Sequence, residues 1–364
     1  MKIAMTGNVF PFGKGIAYGG ERIIGYLSDA LAKRGHDIYL FSPKGTVPTD
    51  NMKDYTPVDI DYTTNTDDYA ETVYNYEKKN KIKFDVYQCN YFGEKWDKTL
   101  KDKFKVYAEL TWNRWCHCKV WNKNWGEAEN IISYSSLLQE DFDNAGVSTT
   151  MIHYGIPKDL YQFSPESDDY CVWIAKIEGG KRPDLAIKLA KAAGIKIVLL
   201  GPPYNTGCFW NQVAPYIDNE NVFWVRGVDD EQKQRIMSRA KFFISSNGND
   251  WREHCGITNF ESLAMGVPII AFNKIKQECA IWTDRFIKEG KHGFFLNYND
   301  ADDIDEIMTK GLPLIHQIGI INREECRIQF ERNFTSDIMA QKYEVFYNFI
   351  SEHGNVHSLT IEEV

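Results

Sequence analysis

The segment Glu253–Glu261, EHCGITNFE, sets two carboxylates eight positions apart, with Gly256 between them and an apolar run, SLAMGVPIIAF, behind. Gly256 has no side chain and lets backbone come close to a ligand. A helix starting near Ile257 would leave the amides of Gly256, Ile257 and Thr258 without intrahelical acceptors. That helix end favours an anion, phosphate above all. Glu261, about one turn in, could accept two hydrogen bonds from a vicinal diol such as a ribose, and Glu253 could accept from the hydroxyls of another sugar. An acid pair that merely caps the helix is the plainer reading, and the two weigh evenly on spacing alone.

Three other stretches could bear chemistry. In IAKIEGGKRPDL, Lys176 ends a predicted strand, and Lys181 and Arg182 open a predicted helix. Cations there could neutralise a diphosphate and stabilise it as a leaving group. Basic residues are unfavourable beside the positive end of a helix, and such a local conflict marks a candidate site; a solvated basic turn is the alternative. The loop GNVFPFGKGIAYGGER follows the first predicted strand. Its Gly13-x-Gly15-x-x spacing lands on Tyr18, so it is no dinucleotide fingerprint, and no Gly-Lys-Ser/Thr closes it as a phosphate loop. What remains, a helix opening at Gly19-Gly20, suits anion or sugar approach about as well as it suits packing. Finally, TWNRWCHCKVWNKNW interleaves tryptophans with cations, including Trp112, Arg114 and Trp115, just after Lys95, Lys98, Lys101, Lys103 and Lys105. Indole faces stack on sugars and on bases. This segment is read as a saccharide platform, as a groove for single-stranded or flipped nucleic acid, or as an aromatic mini-core under a lid.

Elements that could position these residues alternate regularly. KIAMTG reads as a strand. GGERIIGYLSDALAKRG reads as a helix with Ile23, Ile24, Leu27 and Leu31 on one face and Gly35 as its stop. DIYLFS, FDVYQC, FKVYAEL and IISYSS read as further strands, with a helix near 137–145. After a turn-rich acidic segment at 153–169 the alternation restarts. YCVWIAKI, IKIVLLG, NVFWVRG, KFFISS and VPIIAF read as strands. RPDLAIKLAKAAG, FWNQVAPYI, DEQKQRIMSRA and ITNFESLAMG read as helices between them, and FTSDIMAQKYEVFYNFISEH as a long terminal one. Strand–helix alternation of this kind predicts two doubly wound, parallel α/β domains. In such sheets ligands sit beyond the carboxyl ends of the strands, where the candidate loops lie.

The bulk properties agree. The chain has 364 residues, enough for two domains, and 43% of them are apolar. Its formal charge of -9 argues against an overall basic surface. Residues 1–160 carry 20 Lys/Arg against 22 Asp/Glu, so most of the negative charge lies in the second half. The eight cysteines include no C-x-x-C, and CHC at 116–118 fits no common zinc module; no metal site is expected. No apolar run approaches the ~18 residues of a membrane span, and the N-terminus lacks a signal-peptide core. A cytoplasmic protein is expected, with peripheral membrane contact left open.

Taken in order, YGGER, HYGIPKDLYQF, AKIEGGKRPDLAI, VLLGPP, FWVRGVDDEQKQRIMSRAKFFI, EHCGITNFESLAMGVPIIAF and EGKHGFFLN resemble the retaining nucleotide-sugar glycosyltransferases of family GT4, also called group 1. The resemblance covers nearly the whole chain. Its most specific part is the E-x7-E segment at Glu253 and Glu261. It implies a GT-B fold: two Rossmann-like domains, an interdomain cleft and a C-terminal crossover helix. Residues 1–160, with the helix at 340–364, would bind acceptor, and residues 165–339 the donor. Glu253 would contact the donor sugar, Glu261 the ribose, Lys176 and Lys181 the diphosphate, and Gly20 would lie near the phosphate. Gly256, Ile257 and Thr258 complete the expected donor site. Transfer of a hexose or pentose, from a UDP-sugar by preference, would retain configuration by front-face attack and need no metal or other cofactor; the nucleotide sugar is a co-substrate. The acceptor would be a saccharide or a lipid-linked acceptor, docked on Trp112, Arg114 and Trp115. The same chemistry on a hydroxymethylated DNA base is an alternative, and a non-catalytic nucleotide-sugar sensor is a further one. The sequence departs from the family at two points. Lys176 stands where arginine is usual, which keeps the charge but loses the planar fork. The window KVYAELTWNRW lacks the histidine that many relatives carry near the reacting centre, leaving Glu109 as the nearest polar candidate to orient the acceptor.

Overall fold

The computed structural model describes residues 1–6, 19–43, 46, 56–60, 66–91, 102–111, 129–251, 253–254, 256–279, 284–354 and 361. The chain divides into two compact units, one of residues 1–157 with 334–364, the other of residues 158–333.

The first unit is built on seven parallel strands: β1 Lys2–Thr6, β2 Asp37–Pro43, β3 Thr56–Ile60, β4 Val86–Tyr91, β5 Tyr107–Thr111, β6 Ile131–Ser133 and β7 Thr150–Met151. Their order is β3-β2-β1-β4-β5-β6-β7. Helix α1, Gly19–Lys33, buries Ile23, Ile24, Leu27 and Leu31, the face read from the sequence. It ends before Gly35, whose φ of +91° is the left-handed conformation that suits glycine. Helices α2, Thr66–Asn80, and α3, Ser136–Asn144, follow; the Ser135 side chain accepts from the Leu138 amide to cap α3.

The second unit holds six parallel strands: β8 Tyr170–Ile174, β9 Lys196–Leu200, β10 Val222–Val225, β11 Phe242–Ser245, β12 Ile269–Lys274 and β13 Gly293–Tyr298. Their order is β10-β9-β8-β11-β12-β13. The strands are continuous apolar runs, IVLL in β9 and IIAF in β12, because helices cover both faces of a parallel sheet. The helices are α4 Pro183–Ala192, α5 Asp230–Met237, α6 Ile257–Met265, α7 Ile304–Gln317 and α8 Arg323–Asn333. Asp229 and Gln232 close a capping box at the start of α5.

Helix α9, Ser336–His353, belongs to the first unit. Arg34 donates to Glu344 at 2.7 Å, and His36 Nε2 lies 2.7 Å from the same carboxylate. Inside, the Tyr347 hydroxyl donates to Gln88 Oε1 at 2.9 Å, tying α9 to β4.

Two expectations change. FWNQVAPYI is not one helix: a π turn at Phe209–Val213 gives way to a 3-10 turn at Ala214–Tyr216. Pro215 has no amide hydrogen and cannot continue a regular ladder. Of Lys181 and Arg182, only Arg182 adjoins α4, as its N-cap. Gly179–Lys181 forms a separate 3-10 turn, and Arg182, at φ +44°, breaks the chain direction before Pro183 starts the helix.

Candidate functional site

In each sheet the strand order reverses beside its first strand, at β1/β4 in one unit and at β8/β11 in the other. Such reversals leave a crevice at the carboxyl ends of the strands. In the second unit the described residues fill in that crevice. After β8 the chain runs through Lys176 to the turn at Gly179–Lys181; after β11 it runs through Ser246 and Asn247 to the start of α6.

Side chains tie the two loops together. Trp173 Nε1 donates to Ser246 Oγ at 2.9 Å, and Ser246 Oγ lies 2.7 Å from the Lys181 carbonyl. The Gly248 amide donates to the Gly180 carbonyl at 2.9 Å. Trp251 lies over this turn so closely that a Cβ on Gly180 would come within 2.5 Å of the indole. The Lys181 ammonium stands 4.5 Å from the centre of the same ring, a cation–π distance.

Lys181 is also ion-paired to Glu253, whose side chain is 13% exposed. Trp251 Nε1 donates to the same carboxylate at 3.3 Å. Burial pushes the Glu253 carboxyl upward. The charge and hydrogen bond of Lys181, the indole N–H and the neighbouring His254 outweigh it and hold the carboxyl below the ordinary range. Lys181 and Glu253, read from the sequence as separate binding groups, are thus partners in this structure. This pairing, with Arg182 held by Asp184 at 2.9 Å and Asp302 at 2.7 Å, resolves the conflict of basic residues beside a helix start.

Helix α6 begins at Ile257, with Gly256 as its N-cap, and no side chain caps this end among the described residues. The space beside Gly256 is tight: a Cβ there would sit 2.7 Å from Asn259 Nδ2, so that side chain would have to shift. That amide donates to the Gly256 carbonyl at 3.0 Å, which turns Asn259 Oδ1 the other way. Asn259 is 1% exposed, and its Oδ1 has no hydrogen-bond partner among the described residues. A cavity of about 40 Å³ lies here, bounded by Lys181, Glu253, Gly256, Thr258, Asn259 and Ser246. It admits a few waters or a hydroxyl group, not a sugar ring.

Glu261, one turn into α6, is 2% exposed and ion-paired to Lys233 of α5 at 2.8 Å; the Tyr161 hydroxyl lies 3.0 Å from the same oxygen. Lys176 sits just past β8 with its ammonium 4.7 Å from the ring centre of Tyr204, which is 57% exposed. The structure therefore groups Lys181, Glu253, Gly256 and Thr258 on one cavity, with Ile257 at the same helix start.

Gly20 is the second residue of α1 in the other unit. Glu109 lies in β5 between Cys89 and Ile131, and its side chain is outside the described residues. Trp112, Arg114 and Trp115 are outside them too, as are Lys95, Lys98, Lys101 and the glycine loop at 13–18. Lys103 is described: it pairs with Glu71, and its ammonium lies 4.9 Å from the Tyr74 ring centre. Among the described residues no group of three or more His, Cys, Asp or Glu could hold a metal ion, and no helix is long and apolar enough to cross a membrane.

Asn259, Trp251, Lys233 and Tyr161 were not singled out in the sequence. Trp251 alone had a signal there, an aromatic two residues before Glu253 in a polar loop.

Residues 162–313 match the model of the family described as Glycosyl transferases group 1. No curated protein sequence matches. Among solved structures, the chain is similar to AviGT4, a glycosyltransferase involved in avilamycin A biosynthesis, at 16% identity and a TM-score of 0.72, over 98% of this chain and 99% of that one. Sucrose-phosphate synthase from Thermosynechococcus elongatus aligns at 14% identity and 0.71, over 96% and 98%. The catalytic domain of starch synthase IV from Arabidopsis thaliana, bound to ADP and acarbose, aligns at 10% identity and 0.64, over 97% and 99%. At these identities the likeness is one of fold, and the fold is the mixed α/β GT-B class.

Proposed function

We propose that the protein is a glycosyltransferase that takes its sugar from a nucleoside diphosphate sugar, bound in the second unit. One observation carries this: Lys181, Glu253 and the N-terminus of α6 converge on one polar cavity at the β8/β11 reversal, inside the segment that matches the group 1 family. A cation, a carboxylate and a helix N-terminus are the groups that a diphosphate and a sugar hydroxyl need.

In this structure the cation and the carboxylate hold each other. A donor would divide the pair, its diphosphate taking Lys181 and its sugar hydroxyls donating to Glu253. Lys176, beside Tyr204, would supply a second positive charge, and the α6 amides of Ile257 and Thr258 would face the phosphate. Glu261 would accept from the ribose. Gly20 is a further proposed contact of the phosphate, and no metal would be needed for its charge.

The further reading is a retaining enzyme of the GT4 type with a preference for a UDP-sugar. The acceptor oxygen would form its bond to the anomeric carbon on the face that the diphosphate leaves, with the acceptor proton passing to a phosphate oxygen of the departing group. Residues 1–160 with the last helix would bind the acceptor, a saccharide or lipid-linked glycan, on Trp112, Arg114 and Trp115, and Glu109 would orient its hydroxyl.

The test is hydrolysis of UDP-, GDP- and ADP-sugars without acceptor, with the anomer of the released sugar followed by NMR. Slow release from one donor with the anomeric configuration kept is expected. Release with inversion would exclude the retaining mechanism, and binding of no nucleotide sugar would exclude the donor site. Full transfer activity in Glu109→Gln would remove the role given to Glu109.

A further inference from the structure

Beneath the first turn of α6 lies a buried charged cluster that the sequence does not announce. Lys233 falls in DEQKQRIM, a helix of mostly polar residues, yet it is 8% exposed. Its ammonium donates to Glu261 Oε1 at 2.8 Å and to the Tyr161 oxygen at 3.0 Å. The Tyr161 hydroxyl is 3.0 Å from Glu261 Oε1 and 2.7 Å from Asp230 Oδ1. A tyrosine has one proton to give. With Lys233 donating into its oxygen, that proton goes to one of the two carboxylates.

We propose that Lys233 and Tyr161 are positioning residues that hold the Glu261 side chain oriented, so that it accepts hydrogen bonds from the ribose hydroxyls of the donor. The inference rests on the nucleotide-sugar reading above. A carboxylate 2% exposed is costly to keep charged without a partner. Lys233 supplies the opposite charge, and both contacts fall on Oε1, which sets the rotation of the carboxylate plane. Removing Lys233 takes away the shorter of these two contacts, and the carboxylate loses the rotation that presents it to both ribose hydroxyls.

Recognition of ribose then becomes the readout, because a merely structural role would weaken every ligand alike. The experiment is calorimetric binding of UDP, GDP and ADP, and of their 2′-deoxy counterparts, to the full chain, to Lys233→Met and to Tyr161→Phe. The wild type is expected to bind the ribonucleotide of its base on the order of tenfold tighter than the deoxy form, the scale of a hydrogen bond to a charged group. In Lys233→Met that ratio should fall to about twofold or less, with affinity for the deoxy form little changed. A ratio kept in folded Lys233→Met, or parallel loss of both affinities, would overturn the inference. Should Lys233→Met not melt cooperatively, Tyr161→Phe is read by the same ratio: at least a halving supports the proposal and an unchanged ratio defeats it. Wild-type binding without discrimination would defeat this inference alone. Binding of no nucleotide would defeat the nucleotide-sugar reading as well.

Discussion

Lys181→Met offers a test in which the magnitude follows from the structure. The substitution keeps most of the stem and removes the ammonium, leaving Glu253 with its indole contact at 3.3 Å in a place where its side chain is 13% exposed. Breaking a buried pair by removing one partner costs about 3–5 kcal/mol. Glu253 has an escape: it can take a proton. From its ordinary value of 4.5, doing so at pH 7 costs about 3.4 kcal/mol, at ~1.36 kcal/mol per pH unit, which caps the loss near 3 kcal/mol. At pH 5 the same cap is only about 0.7 kcal/mol. In the wild type the Glu253 carboxyl is depressed. Its contribution is therefore complete above the unfolded value and is lost only as the pH falls through the lower, folded one. So the gap between wild type and Lys181→Met should shrink from about 3 kcal/mol at pH 7 to below about 1 kcal/mol at pH 5. The double variant Lys181→Met/Glu253→Gln, in which neither charge remains, should recover to within about 1 kcal/mol of wild type at pH 7. Urea unfolding at the two pH values, followed by fluorescence and circular dichroism, measures all of this. A gap that does not change with pH, or a double variant no better than the sum of its parts, would refute the reasoning.

Two further outcomes follow from packing. Gly180→Ala places a methyl where the Trp251 indole now lies, 2.5 Å away, and should cost about 1–3 kcal/mol of stability and weaken donor binding; titration calorimetry and melting check the two parts. Tyr347→Phe removes the buried hydrogen bond to Gln88 without changing the ring, and should cost the first unit about 1–2 kcal/mol with donor affinity unchanged.

The strands of the second unit were legible because a parallel sheet covered on both faces reads as unbroken apolar runs such as IVLL and IIAF. The start of α6 was legible because Gly256 sits between a polar loop and an apolar run, and α1 because its buried face repeats at helical spacing. Less legible were β3, where TPVDI carries proline and aspartate, and β13, whose GFFLNY stood out only as part of a motif. The charged residues show the larger gap. Spacing singled out Lys181 and Glu253 but could not show them paired, since the contact joins loops 72 positions apart. Nor could a polar helix such as DEQKQRIM reveal that its lysine points inward to Glu261, because burial of a charge depends on a partner supplied by another element.

The most direct test of the donor site compares binding of the preferred nucleotide sugar by wild type and by Lys181→Met/Glu253→Gln, the variant expected to keep its fold while losing both groups. If Lys181 takes the diphosphate and Glu253 the sugar hydroxyls, affinity should fall by about a hundredfold or more, the scale of two charge-assisted hydrogen bonds. Unchanged affinity in a folded double variant would place the donor elsewhere and contradict the account.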